Sequence, residues 1–160
     1  MSAARLRAIT SDDVPALLAL NNAHAAELSW QTPEQFGALI QQACWARTAG
    51  HADGLLIALD QDATYDNPNF AWMSARFERF VYIDRVVVAR HAQGRGLAGA
   101  LYRELQVHAR GLGHERLVCE INLDPPNPGS VAFHQTQGFG QISSADLPDG
   151  KRVGYFACPL

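Results

Sequence analysis

Apolar positions along the chain switch repeatedly between short alternation and helical spacing. Leu6 to Ile9 alternates weakly and runs into Thr10 and Ser11. Either can cap a helix whose first turn holds Asp12 and Asp13, with Pro15 close behind. This predicts a first strand and a first helix, with Leu17, Leu18 and Leu20 on the helix's apolar side and Asn21, Asn22 and His24 at its polar end. A second helix is expected after Thr32, where Pro33 takes the first position and Phe36, Leu39 and Ile40 fall at helical spacing. Gly50 to Gly54 reads as a turn, and Leu55 to Leu59 as a short buried strand bounded by Asp60. Asp60 to Asn69 reads as a polar loop. Phe70 to Phe80, with Trp72, Phe77 and Phe80, reads as a packed aromatic segment, a substrate-binding lid being the alternative.

Phe80 to Val88 has the strongest strand character, rich in aromatic and β-branched residues with Asp84 and Arg85 as its only charges. A helix is expected from Leu97, where Leu97, Leu101, Leu105 and Leu112 recur at or near the helical period, and Gly111 and Gly113 can end it. Arg116 to Asn122 predicts a further strand and Asp124 to Gly129 a proline-rich turn. Ser130 to Gln137 predicts a short helix stopped by Gly138. Short strands are expected near Phe139 to Ile142 and Arg152 to Cys158.

The 160 residues are enough for one substantial core and too few for two, so a single domain over residues 1–160 is expected. Hydrophobic residues at 48% and charged residues at 18% place the chain among globular proteins. The net charge of −3 comes from dispersed residues with no basic run, which argues against nucleic acid as a partner. No apolar stretch approaches the roughly 20 residues a bilayer span needs. Met1 to Arg7 lacks the apolar core of a signal peptide, so a cytoplasmic location is expected. Cys44, Cys119 and Cys158 are widely separated and read as reduced, mostly buried thiols, and the histidines fall at no metal-ligand spacing, so no metal is expected.

Gln93-Gly94-Arg95-Gly96-Leu97-Ala98 lies between the best strand and the best helix, where the first helical amides have no intrahelical partners. Glycines without Cβ atoms let a pyrophosphate approach those amides, and the helix dipole favours the anion. The simpler alternative is a turn that only redirects the chain. Gly94 to Gly99 also satisfies the G-x-G-x-x-G pattern of dinucleotide folds, with Glu120 near the place of a ribose-binding acid. Five residues, Ala89 to Gln93, separate the strand from the glycines, however, and too little chain follows Asn122 for the remaining units of such a sheet.

Gln93 to Ala98 matches the [Q/R]-x-x-G-x-[G/A] signature of the GNAT superfamily of N-acetyltransferases, preceded by the hydrophobic strand ending Val86-Val87-Val88. Glu120-Ile121-Asn122, then Asn127, Ser130, Phe133 and Gly138-Phe139, resembles that family's second region. The resemblance covers roughly Val81 to Phe139. It implies an α/β fold with a mixed, splayed β-sheet and flanking helices, and acetyl-CoA lying in the splay. Backbone groups of Val86, Val87 and Val88 would hold the acetyl and pantetheine part, the amides of Gln93, Gly94, Arg95, Gly96, Leu97 and Ala98 the pyrophosphate, and Asn127 the pantetheine arm. Arg90, His91 and Arg95 stand where they can help with phosphate charge, or are solvated surface residues.

Three positions depart from the family's pattern. Arg90 stands where proline is common, Pro125-Pro126 looks inserted, and His134 replaces the tyrosine that commonly protonates the departing thiolate. Acetyl transfer needs a base for the amine and an acid for the leaving group. The resemblance makes Glu120 the candidate base and His134 the candidate acid, and Asp84, alternating with Tyr82 and Val86 on the neighbouring strand, is the reserve base, against structural roles for each. Cys119 as an acyl-accepting nucleophile is the weakest candidate, because direct transfer needs no covalent enzyme. The expected activity is transfer of acetyl from acetyl-CoA to a primary amine on a small molecule or a peptide N-terminus. A homodimer is expected by analogy alone. The alternatives are a CoA-binding sensor without turnover and, third, a nicotinamide-dependent oxidoreductase. The acceptor pocket is expected from Asn21 to Thr32 and Phe70 to Phe80.

Overall fold

The computed structural model describes residues 5–160, so the start of the Met1 to Arg7 segment read above for a leader lies outside the described residues. Among the described residues, seven strands form one mixed sheet in the order β1-β2-β3-β4-β5-β7-β6, accompanied by five α-helices. Internal contacts divide the chain into two compact units: the chain up to Thr64 together with Ile83–Leu105, and Tyr65–Tyr82 together with Gln106–Leu160.

In the first unit, β1 (Leu6–Ala8) leads through a 3-10 turn, Ser11–Asp13, into α1 (Val14–Ala23). Asp13 ties this start together, accepting from the Thr10 amide at 2.8 Å and from both terminal nitrogens of Arg7 at 2.7 Å. α2 (Pro33–Gln42) begins as the sequence predicts. Thr32 Oγ1 accepts from the Gln35 amide at 3.1 Å, Gln35 Oε1 accepts from the Thr32 amide at 2.9 Å, and Pro33 costs no hydrogen bond at the first position. Phe36 and Leu39 are the residues it buries.

β2 (Trp45–Ala49) is a strand the apolar pattern does not predict. It pairs antiparallel with β3 (Gly54–Asp60), its buried Thr48 hydroxyl donates to the Gly54 carbonyl at 2.8 Å, and Arg47 lies 5.0 Å from the Trp45 ring. β1 pairs antiparallel with the other side of β2. β4 (Val81–Val88) follows, then α4 (Leu97–Gly111), in which Leu97, Leu101 and Leu105 are buried. Leu112 falls beyond the helix and is 56% exposed, so it is not part of the apolar stripe.

The second unit opens with α3 (Pro68–Arg76), which takes the last two residues, Pro68 and Asn69, from the expected loop Asp60 to Asn69 and supplies a helix, not foreseen in the sequence, for the packed segment from Phe70, where Phe70 and Phe80 are buried. Asn67 caps this helix by accepting from the Asn69 and Phe70 amides at 2.9 and 3.2 Å, and Pro68 takes the first position. Phe70 sits edge-on to Phe80 and Tyr82, with centroids 5.6 Å apart in each case. β5 (Arg116–Asp124) runs parallel to β4, with Tyr82 opposite Val118. α5 (Pro128–Thr136) starts two residues earlier than its apolar pattern suggests, because Asn127 is its cap. β6 (Gly140–Asp146) and β7 (Arg152–Pro159) complete the sheet; β7 is antiparallel to both β5 and β6, and the β6 ladder shifts register between Gln141 and Ser143.

Candidate active site

The glycine segment belongs to the first unit. β4 alternates there between buried Ile83, Arg85 and Val87 and half-buried Val86 and Val88. Beyond it a 3-10 turn, Arg90–Ala92, fills part of the lead that separates strand from glycines. Gln93 Nε2 donates to the Val88 carbonyl at 3.2 Å and so anchors the segment to the strand. Gly94 and Gly96 hold φ angles of +79° and +75°, a left-handed conformation that side chains rarely adopt. A Cβ built on either would meet nothing within 4 Å, so both face open space. Ala100 donates to the Gly96 carbonyl at 3.0 Å, which leaves the amides of Leu97, Ala98 and Gly99 ahead of the first helical donor. An open turn in front of amide donors at the start of a 15-residue helix suits a pyrophosphate. Arg90, His91 and Arg95 are exposed beside it, and His91 Nε2 lies 2.9 Å from Asp53 Oδ1.

Asp84 is also in the first unit, and its carboxylate is engaged. Arg85 Nε donates to Asp84 Oδ2 at 2.6 Å, and both side chains are only 3% exposed. The guanidinium reaches on to Asn21 Oδ1 at 2.7 Å, the Ser29 carbonyl at 3.4 Å and the Ser29 hydroxyl at 3.3 Å. Asn21 and Asn22 bond the Ser29 and Gln31 carbonyls at 3.0 Å each. The ion pair thereby fastens the loop between α1 and α2.

Glu120, His134 and Asn127 lie in the second unit. Glu120 is half-buried on β5 and accepts from the Tyr82 hydroxyl at 2.6 Å. Its direct partner across the ladder is Tyr155, whose hydroxyl donates to Asn69 Oδ1 at 2.9 Å and whose ring stacks on Trp72 at 4.1 Å. Burial, then the charge of Glu120, push the Tyr155 phenol up. The same two causes, in that order, push the buried Cys119 thiol well up, which makes it a poor nucleophile.

His134 is buried on α5, its Nδ1 lies 2.7 Å from the Ser130 carbonyl, and the rings of Phe133 and Phe139 stand edge-on to it. Contact with a carbonyl makes Nδ1 the protonated nitrogen. Burial pushes the imidazole below its ordinary value, against the smaller opposing pull of that hydrogen bond. Asn127 Oδ1 accepts from the Ser130 amide at 3.3 Å as the cap of α5. Nearby, Asn122, Pro126, Asn127, Val131 and Gln135 line a cavity of about 300 Å³.

The sequence therefore marked Glu120 but not the residues around it. Tyr82 was available from the alternation of β4, whereas Tyr155 reaches Glu120 only through strand order, and Asn69, which holds the Tyr155 hydroxyl, comes from an unforeseen helix. Among the described residues, no three His, Cys, Asp or Glu side chains gather as metal ligands, and no helix is long and apolar enough to cross a membrane.

The profile of a family described as the acetyltransferase (GNAT) family matches residues 19–139. No curated protein sequence matches the chain. Among solved structures, Ard1 from Thermoplasma volcanium superposes with a TM-score of 0.76 at 13% identity, covering 99% of both chains. The ribosomal-protein-S18-alanine N-acetyltransferase from Escherichia coli gives 0.70 at 15% identity, covering 97% of this chain and 92% of its own. N-acetylglutamate synthase from Neisseria gonorrhoeae, complexed with coenzyme A and N-acetyl-glutamate, gives 0.72 at 18% identity, covering all of this chain and 36% of its own.

Proposed function

Because the chain belongs to the acetyltransferase (GNAT) family and is thus an acyltransferase, we propose that it moves an acetyl group from acetyl-CoA to a primary amine, on a small molecule or a peptide N-terminus, by direct attack. The observation that carries this reading is the turn from Gln93 to Ala98, where two glycines in left-handed conformation face open space just ahead of the first-turn amides of α4. The residues present fit the cosubstrate. Amides of Gln93 to Ala98 take the pyrophosphate, backbone groups of Val86 to Val88 take the acyl and pantetheine end, and Asn127 stands beside a cavity suited to the arm.

Acetyl-CoA supplies an activated thioester carbonyl when bound. Glu120 accepts a proton from the incoming ammonium and leaves a neutral amine as nucleophile. His134 is less suited to donate the proton that the departing thiolate requires, since burial keeps the imidazole neutral at neutral pH. Its hydrogen bond to Ser130 supports a packing role on α5, with solvent supplying the proton. The carboxylate of Asp84, committed to Arg85, supports a role in holding the loop between α1 and α2 rather than one as a base.

The test is release of free thiol from acetyl-CoA across a panel of small amines, aminoglycosides and peptides with free N-termini. Turnover with a member of the panel is the expected result. Tight acetyl-CoA binding with no turnover across the panel would favour a sensor, and NADH binding tighter than acetyl-CoA would refute the reading.

A further inference from the structure

Glu120 stands between two phenols that play different parts. The Tyr82 hydroxyl reaches Glu120 Oε2 at 2.6 Å, within the short range of hydrogen bonds to an ionised acceptor. The Tyr82 ring is fully buried and held edge-on by Phe70, so the hydroxyl is aimed rather than swinging. Tyr155 sits directly across the ladder from Glu120, but its hydroxyl is directed to Asn69 and its ring is fixed by Trp72.

We propose that Tyr82 is a positioning residue for Glu120, fixing the carboxylate's orientation and stabilising its charged form so that it works as a base at lower pH than it otherwise could. The proposal rests on the reading of Glu120 as base. Within the second unit, the titratable and charged groups near the carboxylate include the phenols of Tyr82 on β4 and Tyr155 on β7 and the thiol of Cys119 on β5, with the Arg76 guanidinium of α3 over the Trp72 ring. Of these, the Tyr82 hydroxyl donates directly to the carboxylate. A donor to the charged form favours ionisation, so its removal lets Glu120 keep its proton to higher pH.

The full chain, labelled with 13C at glutamate side-chain carboxyls, is titrated by NMR as wild type and as Tyr82→Phe, with Glu120→Gln assigning the resonance. In parallel, the pH profile of thiol release is measured with the panel amine that turns over fastest. In Tyr82→Phe the Glu120 carbon should titrate about one pH unit higher, the scale of one hydrogen bond to a charged group. The acid limb of turnover should move the same way while acetyl-CoA affinity stays as in wild type. Tyr82→3-fluorotyrosine keeps the ring's shape but makes its hydroxyl a stronger donor, and should move both midpoints down. A packing role for Tyr82 would produce neither movement. An unchanged Glu120 titration in both variants overturns the positioning role and leaves Glu120 as base untouched. A wild-type acid limb in Glu120→Gln overturns Glu120 as base, whatever Tyr82 does to its titration.

Discussion

Replacing Gly96 with alanine separates what the glycine does for the fold from what it does for the cosubstrate. At φ +75° an L side chain is strained, at a cost of roughly 1–2 kcal/mol. The new Cβ would meet nothing within 4 Å, so no clash adds to that figure. For a chain of this length the loss corresponds to a fall in Tm of about 2–8 °C. Acetyl-CoA binding should suffer far more, because the methyl group takes up open space at the start of α4, where the proposed pyrophosphate would approach. Losing one or two hydrogen bonds to a charged phosphate, each about 1.5–3 kcal/mol, weakens binding by roughly tenfold to ten-thousandfold. Gly150 supplies the control: φ is +87°, its Cβ would also meet nothing within 4 Å, and it lies in the turn between β6 and β7. Gly150→Ala should match Gly96→Ala in thermal denaturation and match wild type in calorimetric titration with acetyl-CoA. Equal acetyl-CoA affinity in the two variants would refute the assignment of this turn to the pyrophosphate.

Glu120→Gln should lower acetyl transfer by roughly 10²- to 10⁴-fold, as loss of a general base does, and leave acetyl-CoA affinity near wild type; a drop in stability with unchanged turnover would mark Glu120 as a structural partner. His134, with its proton affinity lowered by burial, favours the folded state fully above the ordinary histidine value of about 6.5 and progressively less as pH falls below it, so His134→Gln should flatten that part of a stability-against-pH curve measured by denaturant unfolding. The alkaline limb of turnover should be the same in wild type, His134→Phe and His134→Tyr, and a limb that moves with the residue would restore His134 as the acid. Arg85→Met strands the Asp84 carboxylate at 3% exposure and should cost about 3–5 kcal/mol in denaturant unfolding, with Asp84→Asn in the same background recovering much of it.

Most of the architecture could be read where a local signal and a tertiary role coincide. Thr32 and Pro33 announce α2, the aromatic and β-branched run announces β4, and the leucines of α4 up to Leu105 mark the face it buries. β2 escaped because five residues, Trp45 to Ala49, include Arg47 and Thr48, polar side chains that break the apolar pattern and that donate to the Ala46 and Gly54 carbonyls. α3 escaped because Asn67-Pro68 reads equally well as a loop and as a cap, and only packing of Phe70 and Met73 decides between them. The glycine turn from Gln93 to Ala98 was legible because its signal is local to a run of adjacent residues. The surroundings of Glu120 were not, since Tyr82 and Tyr155 lie 38 and 35 positions away in the chain and meet it through strand pairing, and Asn69 of α3 holds the Tyr155 hydroxyl.

The terminal strands of the sheet bear on how the protein behaves at high concentration. An outermost strand offers unpaired backbone groups to any other extended chain, which is how ordered aggregates start. Among the described residues, β1 offers Leu6 to Ala8. β6 is longer, but its ladder slips between Gln141 and Ser143, which kinks the strand at the place where Ile142 stands exposed, and Asp146 ends it with a charge. A regular template is thus interrupted at its one large apolar side chain. Deleting a single residue there to restore a straight ladder would turn β6 into a seeding surface, with fibril growth replacing clear solution as the visible outcome.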